Sequence, residues 1–280
     1  MNNLFRRVSV IVFSLIMLTC CASCEQRSTK TIKMDKLVDI GTHKLHVVLA
    51  DVPQARYTII LEAGGGKYSD SYQKIQDTLA MLTGCRVLSY DRSGYGRSEL
   101  GPDNFTALDE VHKLKKCLEV QGFNDHYILV GLSWGGYLVQ LFTKQYPELV
   151  EGLVLIDPMN AKFVKRFGLD KLNAITPYFK NPTQNYEKAG NRMVDNARIS
   201  FGMLSGYELP TDLPVILLTS GNAPIDPEIW RRCHEEMVMY SAKHKLIIAE
   251  GNSHDIVEEN PGLVLETIIE LINTIKSESE

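Results

Sequence analysis

The stretch that decides the fold reads GLSWGG and occupies residues 131–136. It joins the apolar, strand-like run Tyr127–Val130 to a helical pattern over Tyr137–Tyr146. A serine at such a turn sits on a sharp, strained bend, and glycines around it let strand and helix approach without clashing Cβ atoms. The helix start adds N–H groups and a positive partial charge behind the hydroxyl. The stretch therefore predicts a nucleophilic Ser133, with a helix N-cap serine as the alternative interpretation.

Strand-like and helical segments alternate on both sides of this stretch. The strand-like runs are Leu37–Ile40, Lys44–Leu49, Tyr57–Leu61, Cys85–Tyr90, Tyr127–Val130, Val150–Ile156, Val215–Thr219 and Lys245–Ala249. The helical patterns are Ser71–Leu82, Ala107–Val120, Tyr137–Tyr146, Pro227–Ala242 and Leu263–Ile275. The first two runs flank Gly41-Thr42 and predict an antiparallel hairpin. The remaining alternation predicts the α/β class, with a mostly parallel central sheet flanked by helices.

One long segment, at about residues 158–213, interrupts the alternation between the sixth and seventh strands. A structureless connection of that length is uncommon in a compact domain. We therefore expect a small helical cap inserted over the edge of the sheet. Its aromatic and methionine side chains either line an apolar pocket or pack the cap itself.

The N-terminus has a different composition from the rest of the chain. Two arginines at positions 6 and 7 precede the apolar run Val8–Leu18, whose length is typical of a secretory signal peptide rather than a membrane span. Small residues then stand directly before Cys24. This arrangement resembles a bacterial lipoprotein signal, which implies cleavage before Cys24 and lipid attachment to its thiol, with Cys21 as the alternative. An ordinary export signal and a single anchor helix remain alternatives.

These features predict a signal peptide over residues 1–23, a polar tether over 24–36 and a folded domain over 37–277. The protein is then expected to be exported and held by lipid at a bacterial membrane, facing the periplasm or the cell surface.

Charge and cysteine content exclude some classes of partner. The 280 residues carry a formal net charge of −4, so the chain lacks the basic field that nucleic-acid binding requires. Beyond the N-terminal segment the cysteines are Cys85, Cys117 and Cys233, an odd and widely spaced set. Such spacing favours buried free thiols over a disulfide framework or a zinc site. We expect no metal ion.

Two further stretches could complete a serine nucleophile's site. His254 lies in the loop after the last strand, where ligands collect in parallel α/β sheets, and is predicted to be the general base. The glycine-rich turn EAGGG, residues 62–66, follows the run Tyr57–Leu61. We predict an oxyanion hole from the backbone N–H groups of Gly65 and Trp134. A phosphate cradle would need a Gly-Lys-Ser/Thr ending, which the turn lacks.

Together, Ser133, the glycine-rich turn, the stretch YDRSGYGRS at residues 90–98 and His254 resemble the α/β-hydrolase fold superfamily. The resemblance covers about residues 37–275 and favours the capped serine-esterase and proline-iminopeptidase-like branch. It implies a Ser-His-Asp acyl-enzyme mechanism without an organic cofactor or a metal. It also assigns Asp91 and Arg92 a mainly structural role.

The acid of the triad has two candidates. The family order places an acid after the strand Val215–Thr219, and Asp226 occupies that region, although the common Gly-x-x-Asp spacing is absent. Asp226 could equally cap the helix beginning at Pro227. Asp157 is the alternative, since some branches of the superfamily take the acid from the preceding strand.

The sequence thus predicts a carboxylesterase-like serine hydrolase acting on a small ester. The alternatives are a serine aminopeptidase of the proline-iminopeptidase type, acting on a short peptide, and a non-catalytic binding protein with the same fold.

Overall fold

A computed structural model describes residues 31–102, 105–223 and 225–278. The predicted signal peptide, with the lipidation candidates Cys21 and Cys24, lies outside the described residues. Eight strands are described: β1 (Ile32–Asp39), β2 (Lys44–Asp51), β3 (Thr58–Glu62), β4 (Arg86–Tyr90), β5 (Tyr127–Leu132), β6 (Val150–Ile156), β7 (Val215–Ser220) and β8 (His244–Ala249).

These strands form one sheet in the order β1-β2-β4-β3-β5-β6-β7-β8. The hairpin β1–β2 is antiparallel, and β2 also pairs antiparallel with β4. From β4 to β8 every neighbouring pair is parallel. The predicted α/β class, the mostly parallel sheet and the N-terminal hairpin are confirmed. Because the strands β3 to β8 run in one direction, their carboxyl ends meet at one edge of the sheet.

Helices cover both faces of the sheet. The described helices are α1 (Gln76–Thr83), α2 (Ala107–Glu119), α3 (Trp134–Gln145), α4 (Ala161–Phe167), α5 (Leu169–Ile175), α6 (Asn185–Asp195), α7 (Ala197–Gly202), α8 (Pro227–Val238), α9 (Ile256–Glu259) and α10 (Pro261–Glu278). One apolar core packs α2, α3 and α8 against the sheet, and a second packs α1, α9 and α10 against the opposite face. The central strands β3 and β5 are buried along their whole length, which explains their continuous apolar sequence.

Strand β1 begins at Ile32, five residues before the predicted run Leu37–Ile40. Residues 32–36 of the predicted tether therefore belong to the sheet. The reason is that β1 is an edge strand whose side chains are mostly exposed, so it needs no apolar alternation. The folded part of the chain thus starts earlier than the predicted residue 37.

Four short helices, α4 to α7, lie between β6 and β7, as the predicted cap insertion requires. Their aromatic residues mainly pack. Phe163 of α4 is fully buried against Trp230 of α8, with ring centroids 4.7 Å apart. Phe201 of α7 packs edge-on against Trp134 and Tyr137 of α3. The cap is therefore anchored to the helices beside Ser133.

The three cysteines Cys85, Cys117 and Cys233 are buried and unpaired, as predicted. Within residues 31–102, 105–223 and 225–278, no helix is long and apolar enough to cross a membrane. In the same ranges no group of three or more His, Cys, Asp or Glu side chains is arranged to hold a metal ion.

Candidate active site

Ser133 sits at the turn between β5 and α3 with a strained backbone. Its φ is 53° and its ψ is −116°, a region that residues with a Cβ rarely adopt. The strain is held by the backbone: Ser133 N–H donates to the Ile156 carbonyl at 3.0 Å, and the Ser133 carbonyl accepts from Met159 N–H at 2.9 Å. These bonds tie the serine to both sides of Asp157. The turn thus presents Ser133 at the carboxyl edge of the sheet, beside the end of β6.

Glycines make this turn possible because backbone occupies the space where side chains would be. A Cβ on Gly131 would lie 2.6 Å from the Gly135 carbonyl oxygen. A Cβ on Gly135 would lie 2.4 Å from the Glu62 carbonyl oxygen. The strand, the helix and the glycine-rich turn therefore converge at contact distance around Ser133.

His254 is held by Asp157 rather than by Asp226. The His254 Nδ1 lies 2.6 Å from Asp157 Oδ2. Asp157 follows β6 and is fully buried, whereas the His254 side chain is 27% exposed. Because the carboxylate can only accept, His254 Nδ1 carries the proton in this bond and Nε2 is the basic nitrogen. The pair has the geometry of a general base with its orienting acid.

Asp226 has a different role. It is exposed, and its carboxylate accepts a hydrogen bond from Ile229 N–H at 3.2 Å at the start of α8. This is the helix cap that the Asp-Pro dipeptide suggested as the alternative. The structure thus places the alternative candidate Asp157, and not the preferred Asp226, against His254.

The Asp157 carboxylate accepts three hydrogen bonds shorter than 3.0 Å besides the one from His254. Ser220 donates its backbone N–H at 2.8 Å and its hydroxyl at 2.9 Å. The indole Nε1 of Trp230 donates at 2.9 Å. Burial acts to raise the pKa of Asp157, but the hydrogen bonds from His254, Ser220 and Trp230 outweigh it and hold the pKa below its usual value. Asp157 is therefore ionised at neutral pH despite its burial.

The loop carrying His254 is fixed at both sides. On one side it pairs with the loop after β7, where Asn222 N–H donates to the Asn252 carbonyl at 3.0 Å. On the other, Asp255 forms an ion pair with Lys67 at 2.8 Å. Since Lys67 ends the glycine-rich turn after β3, this ion pair links the base to the predicted oxyanion hole.

The glycine-rich turn lies against the residue that follows Ser133. Lys67 N–H donates to the Gly64 carbonyl at 3.2 Å, which closes a tight turn with Gly66 at a φ of +74°. A Cβ on Gly65 would lie 3.7 Å from the Trp134 Cβ. Gly64 is buried while Gly65 is exposed. The two residues predicted to supply the oxyanion hole, exposed Gly65 and buried Trp134, are therefore neighbours.

Sequence reasoning missed Ser220, Trp230 and His234, which surround the acid. His234 is fully buried on α8, and its Nδ1 lies 3.8 Å from Asp157 Oδ1. Ser220 ends β7 at the position where an acid was expected, and it supplies two donors instead. Trp230 follows the cap Asp226 by one helical turn, but nothing in its spacing reports the direction of its indole.

Because His234 is buried, we expect the free energy of unfolding to fall on acidification. Its Nε2 lies 2.8 Å from the Pro158 carbonyl, so Nε2 carries the proton and Nδ1 accepts from the Thr219 hydroxyl at 2.9 Å. Burial lowers the pKa of His234 to about 4. Between pH 6.5 and about 4 the unfolded chain binds a proton that the folded chain does not, so the free energy of unfolding falls as the pH falls, by roughly 3 kcal/mol.

Urea unfolding of the parent and His234→Gln across this pH range measures the effect. Glutamine can make both hydrogen bonds without titrating. The fall in the free energy of unfolding with acidification should therefore correspond to about one fewer bound proton than in the parent. The exposed His112→Gln is the matched control and should keep the parent slope. An unchanged slope in His234→Gln would contradict the assignment.

Comparison with known proteins agrees with this architecture. Residues 57–183 match a family model described as alpha/beta hydrolase fold. The uncharacterized protein YqjL of Bacillus subtilis is 23% identical over 216 residues, covering 74% of this chain and 80% of YqjL. A proline iminopeptidase of Lactobacillus delbrueckii subsp. bulgaricus is 30% identical over 126 residues. That match covers 43% of this chain and 42% of the iminopeptidase, so the chain spans less than half of that relative's length.

The structure is also similar to solved ones. A thermophilic esterase from Thermogutta terrifontis superposes with a TM-score of 0.64 at 18% identity, covering 88% of this chain and 99% of the esterase. At this identity the likeness shows a shared fold.

Proposed function

We propose that the chain, which has the α/β-hydrolase fold, is an exported serine hydrolase that cleaves a small carboxylic ester. The observation that carries the proposal is the 2.6 Å hydrogen bond between His254 Nδ1 and buried Asp157. It lies at the sheet edge where strained Ser133 is presented. A buried carboxylate, a partly exposed imidazole and a serine on a strained turn are the parts that nucleophilic acyl transfer needs.

In the proposed reaction Ser133 Oγ attacks the ester carbonyl while His254 Nε2 takes the hydroxyl proton. Asp157 stays ionised, and its carboxylate accepts the hydrogen bond from His254 Nδ1–H throughout. It therefore stabilises the imidazolium that forms. The Gly65 and Trp134 N–H groups donate to the carbonyl oxygen as it becomes negative. His254 then gives its proton to the leaving alkoxide, and the acyl group stays on Ser133.

Hydrolysis of the acyl-enzyme repeats these roles with water as the nucleophile. His254 Nε2 removes a proton from water, the resulting hydroxide attacks the acyl carbonyl, and Ser133 leaves with the proton returned by His254. The chain's own residues and water are sufficient for both half-reactions. A small ester is proposed first, since a carboxylesterase needs only these groups.

A second candidate is a serine aminopeptidase that acts on a short peptide. It is favoured by the 30% identity to a proline iminopeptidase, although that match covers only 42% of the relative. The two candidates share Ser133, His254 and Asp157, and they differ in whether an amide with a free N-terminal amine is cleaved.

Export and lipid anchoring belong to the same proposal and depend on the N-terminal sequence. The arginines, the apolar run Val8–Leu18 and the small residues before Cys24 support them. Stable anchoring requires more than one acyl chain. Metabolic labelling with a radioactive fatty acid tests this part: Cys24→Ser should lose the label, and a label retained there but lost in Cys21→Ser would move the site to Cys21.

Intact-mass analysis after a fluorophosphonate probe tests the catalytic proposal, using the domain from Glu25 beside Ser133→Ala. We expect one adduct on the parent and none on the variant, followed by turnover of p-nitrophenyl acetate or of proline p-nitroanilide. The first substrate would support the esterase and the second the aminopeptidase. No adduct on the folded parent would favour a non-catalytic binding protein.

A further inference from the structure

The side chain of Arg92 binds two backbone carbonyls of the glycine-rich turn. Its guanidinium donates from Nη1 to the Ala63 carbonyl at 2.6 Å and from Nη2 to the Gly64 carbonyl at 2.5 Å. A longer bond of 3.4 Å reaches the Lys67 carbonyl. Arg92 is 3% exposed, so these contacts lie beneath the turn and away from solvent.

Because the peptide bond is planar, the contacts of Arg92 with the carbonyls also determine the direction of the Gly65 N–H, a predicted oxyanion donor. In a trans peptide the C=O and the N–H of the next residue point in opposite directions. The peptide joining Gly64 to Gly65 has its carbonyl aimed at the buried Arg92. The Gly65 N–H therefore points away from Arg92, toward the exposed side of the turn. Trp134 is a neighbour of Gly65, since a Cβ on Gly65 would lie 3.7 Å from the Trp134 Cβ.

The turn cannot fix this direction by itself. Three consecutive glycines, residues 64–66, populate both signs of φ and impose little preference on the peptide planes between them. The internal bond from Lys67 N–H to the Gly64 carbonyl, at 3.2 Å, is the longer of the two bonds that this carbonyl accepts. An external donor with rigid geometry is needed, and the planar guanidinium supplies one.

Arg92 is itself firmly placed. Its Nη1 lies 2.6 Å from Glu62 Oε1 in an ion pair in which Glu62 is 1% exposed, and the Tyr90 hydroxyl donates to the other Glu62 oxygen. Burial opposes the charged form of Arg92, but the Glu62 carboxylate outweighs it and raises the pKa of Arg92. The guanidinium is thus charged, paired with Glu62 and in contact with the backbone of the glycine-rich turn.

From these contacts we propose that Arg92 is a positioning residue for catalysis: it sets the orientation of the Gly65 N–H by binding the Ala63 and Gly64 carbonyls. Arg92 does not touch the substrate, and its effect reaches the reaction through one peptide plane. The proposal rests on the proposed serine hydrolase function, since an oxyanion donor matters only if Ser133 forms an acyl-enzyme.

The test compares kcat per active site in the parent, Arg92→Lys and Arg92→Met, with active sites counted by exhaustive fluorophosphonate labelling. Loss of one oxyanion donor lowers kcat about 10²- to 10³-fold. We expect a loss of about 10²-fold in Arg92→Met, a smaller loss in Arg92→Lys, and a KM within about threefold of the parent in both. A merely structural role would lower the number of active sites and leave kcat per site unchanged, which would overturn the proposal.

Two controls keep the result interpretable. Arg86→Lys alters another partly buried arginine, which pairs with Asp51 far from the turn, and should keep the parent kcat. Glu62→Gln weakens the ion pair but leaves the guanidinium on the two carbonyls, so its kcat should fall less than that of Arg92→Lys even if Arg92→Met fails to fold. An equal or larger fall would contradict the carbonyl contacts as the cause. A parent without labelling or turnover would refute the proposed function instead.

Discussion

Replacement of His254 by alanine is expected to lower kcat about 10⁶-fold while the protein stays folded. The serine hydroxyl is a weak nucleophile, and His254 is the group that the structure couples to the buried acid at 2.6 Å. The imidazole is 27% exposed and lies at the rim of the fold, so its removal opens little internal space. Turnover of p-nitrophenyl acetate and a thermal melt, measured on the same sample, separate loss of chemistry from loss of structure.

Ser133→Ala should show a loss of similar size, and the double variant should lose no more than either single one, because the two residues act as a unit. His126→Ala is the matched control: His126 also pairs with a carboxylate, at 2.5 Å from Glu151, but lies at the opposite ends of the strands. It should keep the parent kcat. Additive losses in the double variant, or a retained rate in His254→Ala, would mean that the base is another group.

Local sequence patterns were sufficient to predict much of the fold because the Ser133 turn and the buried strands depend on residues that are close together in the chain. The turn at Ser133 needs glycines at fixed offsets, and the structure places backbone atoms within 3 Å of the missing Cβ positions. The buried parallel strands need continuous apolar runs, since both of their faces are covered. The first residues of strand β1 were not predicted, because an exposed edge strand tolerates polar residues. Its pairing with β2 follows from the hairpin rather than from its own composition.

The choice of acid could not be made in the same way. It depends on which loop brings a carboxylate to His254 Nδ1, which is a property of the assembled sheet. Ser220 illustrates the difficulty: it ends β7, after which the family order places the acid, but its N–H and hydroxyl donate to Asp157 at the end of the neighbouring strand β6. The Trp230 indole makes its bond from α8, which begins seven residues after β7 ends, and no periodicity encodes that direction.

The role of Arg92 shows a second limit. The stretch at residues 90–98 was recognised as a motif, and its Asp-Arg pair was assigned a structural role. The structure adds the contacts that the motif does not report: the Arg92 guanidinium binds two carbonyls of the glycine-rich turn, 28 and 29 residues earlier in the chain. A motif reports that a residue type recurs at a position, but the direction of a peptide plane is set by three-dimensional contacts.

Asp157→Asn is expected to lower kcat about 10⁴-fold, and Asp226→Asn is expected to leave it unchanged. Asparagine at position 157 presents an amide N–H₂ to a site that contains only donors, so it either loses the bond to His254 or holds the imidazole in the wrong tautomer. It also removes the buried charge that offsets the imidazolium. At position 226 asparagine caps a helix as well as aspartate does, so α8 is preserved.

The two aspartates form a closely matched pair for this comparison. Each follows a strand of the parallel sheet, each precedes a proline, and each has a positive φ, of 42° at Asp157 and 39° at Asp226. The same chemical change therefore meets a similar backbone conformation at both sites, but Asp157 is buried and bonded to His254, whereas Asp226 is exposed and caps α8. Kinetics with a thermal melt of each variant make the comparison. A loss of rate confined to Asp226→Asn would restore Asp226 as the acid, and near-parent rates in both variants would remove the acid from the mechanism.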